Sequence, residues 1–121
     1  MEEIRKSNTR KNPFSYSTRP IIRVSINTQC VFIVSKLIAE KLQVDPKKHG
    51  LMFGFIKGKL AVKREDDKED NYSLRRGDAS TYRFRSRELY DVISDFFKVK
   101  KDASFTIEMQ EDLTFKLAEH A

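Results

Sequence analysis

Residues 81–97 read TYRFRSRELYDVISDFF, and a strand, a helix start and a helix follow one another directly in this stretch. Aromatic residues and arginines alternate through residues 82–85, as they do in a strand with one buried face. Ser86 can cap a helix, and the apolar residues of its inner face then follow at helical spacing: Leu89, Val92, Ile93, Phe96 and Phe97. The stretch predicts a strand leading into an amphipathic helix, with Arg83 and Arg85 on the exposed strand face.

The same order of elements occurs earlier in the chain. Two extended runs, IIRVSI (21–26) and CVFIV (30–34), lead to a helix that begins at Ser35 and ends by Val44, before Asp45-Pro46. Residues 51–64, LMFGFIKGKLAVKR, then predict a hairpin with its turn at Lys57-Gly58. In the later part, YSLRR (72–76) predicts an extended segment before the strand, and SFTIEMQEDLTFKL (104–117) a hairpin turning around residues 110–112.

These patterns predict an α+β fold. We expect two similar strand–strand–helix–hairpin units, residues 21–64 and 72–118, joined by an acidic linker at 65–71. The units pack as one mainly antiparallel β domain with two helices, spanning 21–121, and residues 1–20 form a flexible basic arm. The shared core is predicted to contain Phe32, Ile33, Leu42, Phe53, Phe84, Val92, Ile93, Phe96 and Phe105.

Length and composition favour a cytoplasmic protein with one core. The 121 residues are 39% hydrophobic and 35% charged, and no apolar run approaches the ~20 residues of a membrane span. Cys30 is the only cysteine, so an internal disulfide is excluded, and its position before an apolar run predicts a small buried side chain. We therefore expect no membrane association.

The basic charge is unevenly distributed. Residues 1–64 contain 14 basic and 4 acidic residues, whereas residues 65–121 contain 10 and 14, giving the net charge of +6. Such asymmetry indicates an anionic partner, such as DNA or RNA. Candidate contacts are Arg19, Arg23, Lys36, Lys47, Lys48, Arg75, Arg76, Arg83, Arg85 and Arg87. The alternative is that the arginines of residues 75–87 pair with the carboxylates of residues 65–70 and 108–112.

Catalytic patterns are weak. His49 lies in a turn and His120 near the last residue, and neither has a context that suggests a general base oriented by a carboxylate. Gly50, Gly54 and Gly58 recur every four residues, which matches no phosphate-binding loop. The sequence thus predicts a protein that is not an enzyme and has no cofactor or metal.

The first unit resembles the AbrB and SpoVT type of bacterial transition-state regulators, through Phe32-Ile33-Val34-Ser35, Leu42-Gln43-Val44, residues 51–55 and residues 60–62. Members of that family dimerise by interleaving two hairpins, so two units in one chain imply a single-chain pseudo-dimer. The family typically has Gly-Arg where Cys30-Val31 and Thr81-Tyr82 stand here, proline at Ser35 and Ser86, and arginine at Ala39 and Tyr90. Its DNA-reading positions are not kept, so DNA binding is predicted from charge alone.

Two functional hypotheses follow, and the oligomeric state stays open. The first is a small nucleic-acid-binding protein, such as a transcription regulator, whose basic residues contact phosphates. The second is a protein-interaction or assembly module, such as an adaptor or a virion component, that recruits a protein partner through hairpin edges or the arm.

Overall fold

The computed structural model describes residues 15–26, 29–67, 69, 71–100 and 102–118. Within these residues, nine strands and two helices form an α+β structure, and all the strands pair in antiparallel fashion. The elements are β1 Ile21–Ser25, β2 Val31–Ser35, α1 Lys36–Lys41, β3 Gly50–Ile56, β4 Lys59–Glu65, β5 Tyr72–Ser73, β6 Arg75–Arg76, β7 Thr81–Arg85, α2 Arg87–Phe96, β8 Phe105–Met109 and β9 Phe115–Leu117. The predicted fold class, with mainly antiparallel strands and two helices, is confirmed.

The strands form two sheets to which both parts of the chain contribute. The large sheet has the order β6-β7-β2-β1-β8-β9, and the small sheet has the order β4-β3-β5. The late hairpin, β8–β9, therefore pairs with the early strand β1 through β8. The early hairpin, β3–β4, pairs with the later strand β5 through β3. Because of this exchange, each sheet contains strands from residues 21–64 and from residues 72–118.

The segment YSLRR, predicted as one extended stretch, is divided between the two sheets. Tyr72–Ser73 pairs with β3 of the small sheet, and Arg75–Arg76 pairs with β7 of the large sheet. Leu74 lies between them and is only 5% exposed. Burial of this side chain where the sheets diverge explains why the strand changes partner here.

The core lies against one face of the large sheet. Phe32 and Phe84 lie opposite each other on β2 and β7, with ring centroids 4.7 Å apart. Of the predicted core residues, Phe32, Phe84, Ile93 and Phe105 are buried, and Phe53 and Phe96 pack against the core while partly buried. Leu42 also packs against the core while partly buried. Ile33 was wrongly predicted as a core residue, because it lies opposite Arg23 and Arg83 on the other face of the sheet.

Val92 was wrongly predicted as a core residue, since it is 48% exposed. Helix α2 turns Leu89, Tyr90, Ile93 and Ser94 inward instead. Tyr90 is 1% exposed, and its hydroxyl donates a hydrogen bond to the Ala103 carbonyl at 2.8 Å. This bond satisfies the polar end of a large ring, so the helix can face inward along Tyr90 rather than Val92.

The predicted helix caps and hairpin turn are confirmed. The Ser35 hydroxyl accepts a hydrogen bond from the Leu37 amide at 3.1 Å, and Ser86 accepts one from the Leu89 amide at 3.0 Å. In the early hairpin, Lys57 and Gly58 have φ values of 50° and 76°, as a two-residue hairpin loop requires. The caps fix where each strand ends and each helix begins.

Both helices also end in the same way. Gln43 follows α1 with φ 56°, and the Val44 amide donates to the Ala39 carbonyl at 2.8 Å. Lys98 follows α2 with φ 54°, and the Val99 amide donates to Ser94 at 2.9 Å. A left-handed residue after a helix satisfies the last carbonyls and turns the chain.

Candidate functional site

One row of paired residues brings three arginines onto the same face of the large sheet. Arg75 lies opposite Arg83, Arg83 opposite Ile33, and Ile33 opposite Arg23. Residues directly opposite each other on antiparallel strands share a face. Arg85 joins them because it lies two residues from Arg83 on β7. We call the side that carries these arginines the outer face; the side of Phe32 and Phe84 is the core face.

The arginines of the outer face are exposed. Among the described residues, Arg23, Arg75, Arg83 and Arg85 form no ion pair with a carboxylate. Arg23 donates to the Thr106 hydroxyl, at 3.4 Å, and Arg85 donates to the Gln29 side-chain oxygen, at 3.5 Å. The alternative that local carboxylates neutralise this cluster therefore finds no support in the described ranges.

A cleft opens at the edge of the sheet beside these residues. Strand β6 pairs only with Tyr82 and Arg83 of β7, and at Leu74 the chain turns toward β3. In the described part of the chain, no strand covers Phe84 and Arg85 on that edge. The resulting cleft has a volume of about 620 Å³ and is lined by Val31, Asn71, Tyr72, Ser73, Arg75, Arg76, Arg83, Phe84 and Arg85. We call it the arginine cleft.

Aromatic rings form part of the wall of the arginine cleft. The Tyr72 ring stacks on Phe84, with centroids 5.1 Å apart and planes 29° from parallel. Phe84 is buried, whereas Tyr72 is only partly buried. Next to Tyr72, the Asn71 side chain donates to the Glu65 carbonyl at 3.1 Å and accepts from the Ser73 hydroxyl at 3.2 Å. The wall is therefore held by stacking on one side and by hydrogen bonds on the other.

Residues 15–20, part of the predicted arm, lie against the outer face. The Ser35 hydroxyl donates to the Tyr16 carbonyl at 2.5 Å. Burial raises the pKa of the Tyr16 hydroxyl. The charges of Arg23 and Arg83 lower this pKa in part, and the charge of Asp78 adds to the rise. The Tyr16 hydroxyl therefore lies within electrostatic reach of two arginines of this face. Residues 1–14 of the arm lie outside the described residues.

Arg19 is engaged by Glu108. Two of its guanidinium nitrogens donate to the two Glu108 carboxylate oxygens, each at 2.9 Å. These hydrogen bonds lower the pKa of Glu108. Such bidentate pairs are stronger than single contacts. The Arg19–Glu108 pair thus fastens residues 15–20 to β8.

The other predicted contacts lie elsewhere. Arg87 pairs with Asp91 at 3.4 Å and with Asp102 at 4.0 Å. The Lys36 ammonium lies 5.2 Å from the centroid of the Tyr82 ring. Lys47 and Lys48 are exposed in the turn between α1 and β3. Of the ten predicted residues, Arg75, Arg76, Arg83 and Arg85 converge on one cleft, and Arg23 shares the outer face with three of them.

The sequence prediction missed the cleft wall formed by Asn71, Tyr72 and Ser73. Residues 71–73 approach β7 only because β5 is drawn into the small sheet by pairing with Gly50 and Leu51. That pairing joins positions more than twenty residues apart, so no local pattern marks it. The aromatic Tyr72 two residues before Leu74-Arg75-Arg76 is the one available signal.

Histidine and cysteine offer no catalytic arrangement in the described residues. His49 accepts a hydrogen bond from the Asp45 amide at Nδ1, 2.9 Å, and its Nε2 lies 3.6 Å from Asp66. Cys30 is 1% exposed, as predicted for a buried side chain. His120 lies outside the described residues. In the ranges described, no three His, Cys, Asp or Glu side chains gather as metal ligands would, and neither helix could cross a bilayer.

Four guanidinium groups around one cleft can bind phosphate or carboxylate oxygens through paired N–H donors. Because the cleft lies at an open sheet edge, such a ligand can enter it from solvent. The comparisons name no relative for this arrangement: no protein-family model, no curated protein and no solved structure matches the chain.

Proposed function

We propose that this protein is a small non-enzymatic nucleic-acid-binding protein whose arginine cleft and outer face contact phosphates. The observation that carries the proposal is the convergence of Arg75, Arg76, Arg83 and Arg85 on one cleft. None of these four pairs with a described carboxylate. Arginine is suited to phosphate because its planar donors match two oxygens at once.

The cost of the cluster supports a role in binding. Like charges directly opposite each other destabilise a pair of antiparallel strands. Arg75 and Arg83 stand in that relationship. Asp78 in the connecting turn accepts hydrogen bonds from Ser80 and Thr81, and it forms no ion pair with a described arginine, although the Arg83 charge helps to lower its pKa. A polyanionic ligand would relieve this repulsion, because it would place a counter-charge between the two guanidinium groups.

We also propose that the chain is an internally duplicated pseudo-dimer of the swapped-hairpin type. Support comes from the exchange of hairpins between β1·β8 and β3·β5, and from two helices that share a serine cap and a left-handed residue at the end. A role in transcription regulation would follow from the resemblance to the AbrB and SpoVT type. It rests on that resemblance, since the DNA-reading positions of the family are not kept.

Electrophoretic mobility of labelled DNA and RNA fragments, titrated with protein at about 50 and about 200 mM salt, tests the proposal. Binding should weaken steeply with salt. A variant with Arg83→Glu and Arg85→Glu should bind more weakly and lower the salt slope by about 2, one for each lost phosphate contact.

The matched control is a variant with Lys47→Glu and Lys48→Glu, which changes the net charge equally at exposed positions on the α1–β3 turn. Affinity of this variant should fall less. Absence of binding by the wild type at the lower salt would overturn the proposal, and an equal loss in both variants would show that net charge rather than the cluster drives binding.

One observation favours the second hypothesis, a protein-interaction or assembly module. At the tip of the early hairpin, Phe55 is 53% and Ile56 59% exposed, and the Phe55 ring lies 5.1 Å from Phe96. Adjacent exposed apolar residues are typical of contact sites. Sedimentation velocity over a range of protein concentrations tests self-association at this tip. If the wild type self-associates and a Phe55→Ser, Ile56→Ser variant does not, the result supports the interaction-module hypothesis. A wild type that stays monomeric excludes self-association through this tip.

A further inference from the structure

We infer that the arginine cleft takes a single-stranded nucleic-acid segment in preference to a duplex. The inference rests on the proposed function, and it concerns which form of nucleic acid the site accepts. Its basis is a cleft at a sheet edge in which guanidinium groups from both faces of the edge strand meet the partly exposed ring of Tyr72.

The position of Arg76 favours a single strand over a duplex as the ligand of the cleft. Consecutive residues of a strand point to opposite faces. Arg75 is paired with Arg83 on the outer face, so Arg76, paired with Tyr82, belongs to the core face at the same edge. A duplex lying on the outer face would reach Arg75, Arg83 and Arg85 and would leave Arg76 behind the edge. A single strand inside the cleft can contact all four.

The size of the cleft leads to the same conclusion. Its volume of about 620 Å³ can hold one or a few nucleotides, and it is lined on two sides by the diverging segments 71–73 and 83–85. A B-form duplex presents its two phosphate rows across a major groove about 12 Å wide, with the bases stacked inside. Such a body could touch only the rim, whereas an unpaired nucleotide could place its base within the cleft.

The aromatic wall supplies a contact that a duplex cannot use. Single-strand binding proteins combine a basic groove with aromatic rings on which unpaired bases stack, without strong preference for base identity. Tyr72 is braced from behind by Phe84, at 5.1 Å, and from the side by Phe53, at 6.0 Å in an edge-on arrangement. A braced ring that is still partly exposed is already oriented for stacking.

Fluorescence anisotropy with a labelled 12-nucleotide oligo-dT and a labelled 12-base-pair duplex, at the same salt, tests the inference. The wild type should bind the single strand about tenfold more tightly. Tyr72→Leu keeps an apolar contact for Phe84 but removes the stacking surface, so it should weaken single-strand binding about tenfold and duplex binding by less than about twofold.

Two further variants complete the design. Arg76→Gln changes an exposed side chain that should not affect folding, and it should weaken single-strand binding selectively. Tyr82→Leu is the matched control, because Tyr82 is on β7 but does not line the cleft. It should leave the ratio of the two affinities unchanged. Thermal unfolding followed by circular dichroism verifies that each variant is folded.

The outcomes distinguish failure of this inference from failure of the proposed function. Duplex affinity equal to or above single-strand affinity would overturn this inference and leave the proposed function intact. The inference would also be overturned if the Tyr72→Leu and Arg76→Gln variants lost single-strand affinity and duplex affinity by the same factor. Absence of binding to either form at about 50 mM salt would overturn the proposed function itself.

Discussion

Arg75 and Arg83 lie directly opposite each other on adjacent antiparallel strands at the edge of the large sheet, and neither pairs with a described carboxylate. Replacing one of them with an uncharged strand-former should relieve the repulsion. We expect Arg83→Thr to raise the free energy of unfolding by about 0.5 kcal/mol and to weaken nucleic-acid binding. Urea unfolding at low and high salt measures the gain, which should shrink as salt screens the repulsion.

Arg85→Thr is the control for that experiment. Arg85 is exposed on the same strand and face as Arg83, but it lies opposite Val31 rather than an arginine. Its replacement should therefore give a smaller gain in stability. If Arg83→Thr is no more stable than the wild type, the two guanidinium groups do not repel each other appreciably.

The Arg19–Glu108 pair predicts a pH dependence of stability. The pKa of the Glu108 carboxyl is lowered in the folded protein by the hydrogen bonds from Arg19, from an ordinary value of 4.5. The ionised form is thus favoured by folding, so its contribution is present above pH 4.5 and is lost as the pH falls through the lowered value. Glu108→Gln should cost about 1 kcal/mol at neutral pH and nothing in strong acid.

Chemical denaturation of the wild type and the Glu108→Gln variant across the acidic range measures this difference. Glu111→Gln serves as the comparison, because Glu111 is exposed in the β8–β9 turn and forms no ion pair with a described residue. Its effect should be small and flat with pH. A Glu108→Gln penalty that persists unchanged below the range in which the carboxyl titrates would contradict the assignment.

Truncation of two neighbouring residues of α2, Val92 and Ile93, should destabilise the protein to very different extents. Ile93 is fully buried and Val92 is 48% exposed. Ile93→Ala leaves a cavity and should cost about 3 kcal/mol, whereas Val92→Ala should change the free energy of unfolding by less than about 0.5 kcal/mol. Thermal unfolding of both variants decides the matter. A large loss in Val92→Ala would mean that the helix faces the core as the sequence pattern predicted.

The turn of the early hairpin offers a stabilising substitution. Lys57 has a positive φ of 50°, a conformation that asparagine adopts more readily than lysine. Lys57→Asn should raise the free energy of unfolding by about 0.5 kcal/mol, and Gly58→Ala, at φ 76°, should lower it by about 1 kcal/mol. Urea titration of the two variants checks both signs; a loss in Lys57→Asn would be inconsistent with the turn.

Separating the chain within residues 66–70 should leave neither part with the native fold. Each hairpin pairs with a strand from the other part, in β1·β8 and β3·β5, so a part expressed alone lacks a partner for an exposed strand edge. Circular dichroism should show little cooperative unfolding for either part and a recovered transition after mixing. Two independently cooperative domains would disprove a shared core.

The elements that depend on local chemistry could be predicted from the sequence. The alternation of residues 82–85, the Ser35 and Ser86 caps and the Lys57-Gly58 turn all act within a few residues of themselves. The exposure of Arg83 and Arg85 followed from the same alternation. These features arise from strand geometry and from hydrogen bonds to adjacent amides, which do not depend on the rest of the fold.

The remainder of the site depends on distant pairing. The Arg75–Arg83–Ile33–Arg23 row exists because β7 pairs with β2 and β2 with β1, and the cleft exists because β5 leaves β6 at Leu74. Val92 was misplaced because helical spacing alone could not tell which of two adjacent apolar directions would meet the sheet. The orientation of the helix follows Tyr90, whose hydroxyl donates a hydrogen bond to the Ala103 carbonyl, and no helical pattern in the sequence reveals that bond.

The exchange of hairpins also bears on how the protein folds during synthesis. Strand β1 lies between β2 and β8 in the large sheet, so one of its edges has no partner until Met109 has emerged from the ribosome. The large sheet is therefore completed late in synthesis, and the apolar strand β1 stays without one of its neighbours in the nascent chain until then. A chaperone that shields Ile22 and Val24 in that interval should raise the yield of folded protein, whereas a translational pause before Met109 should lower it by prolonging the interval.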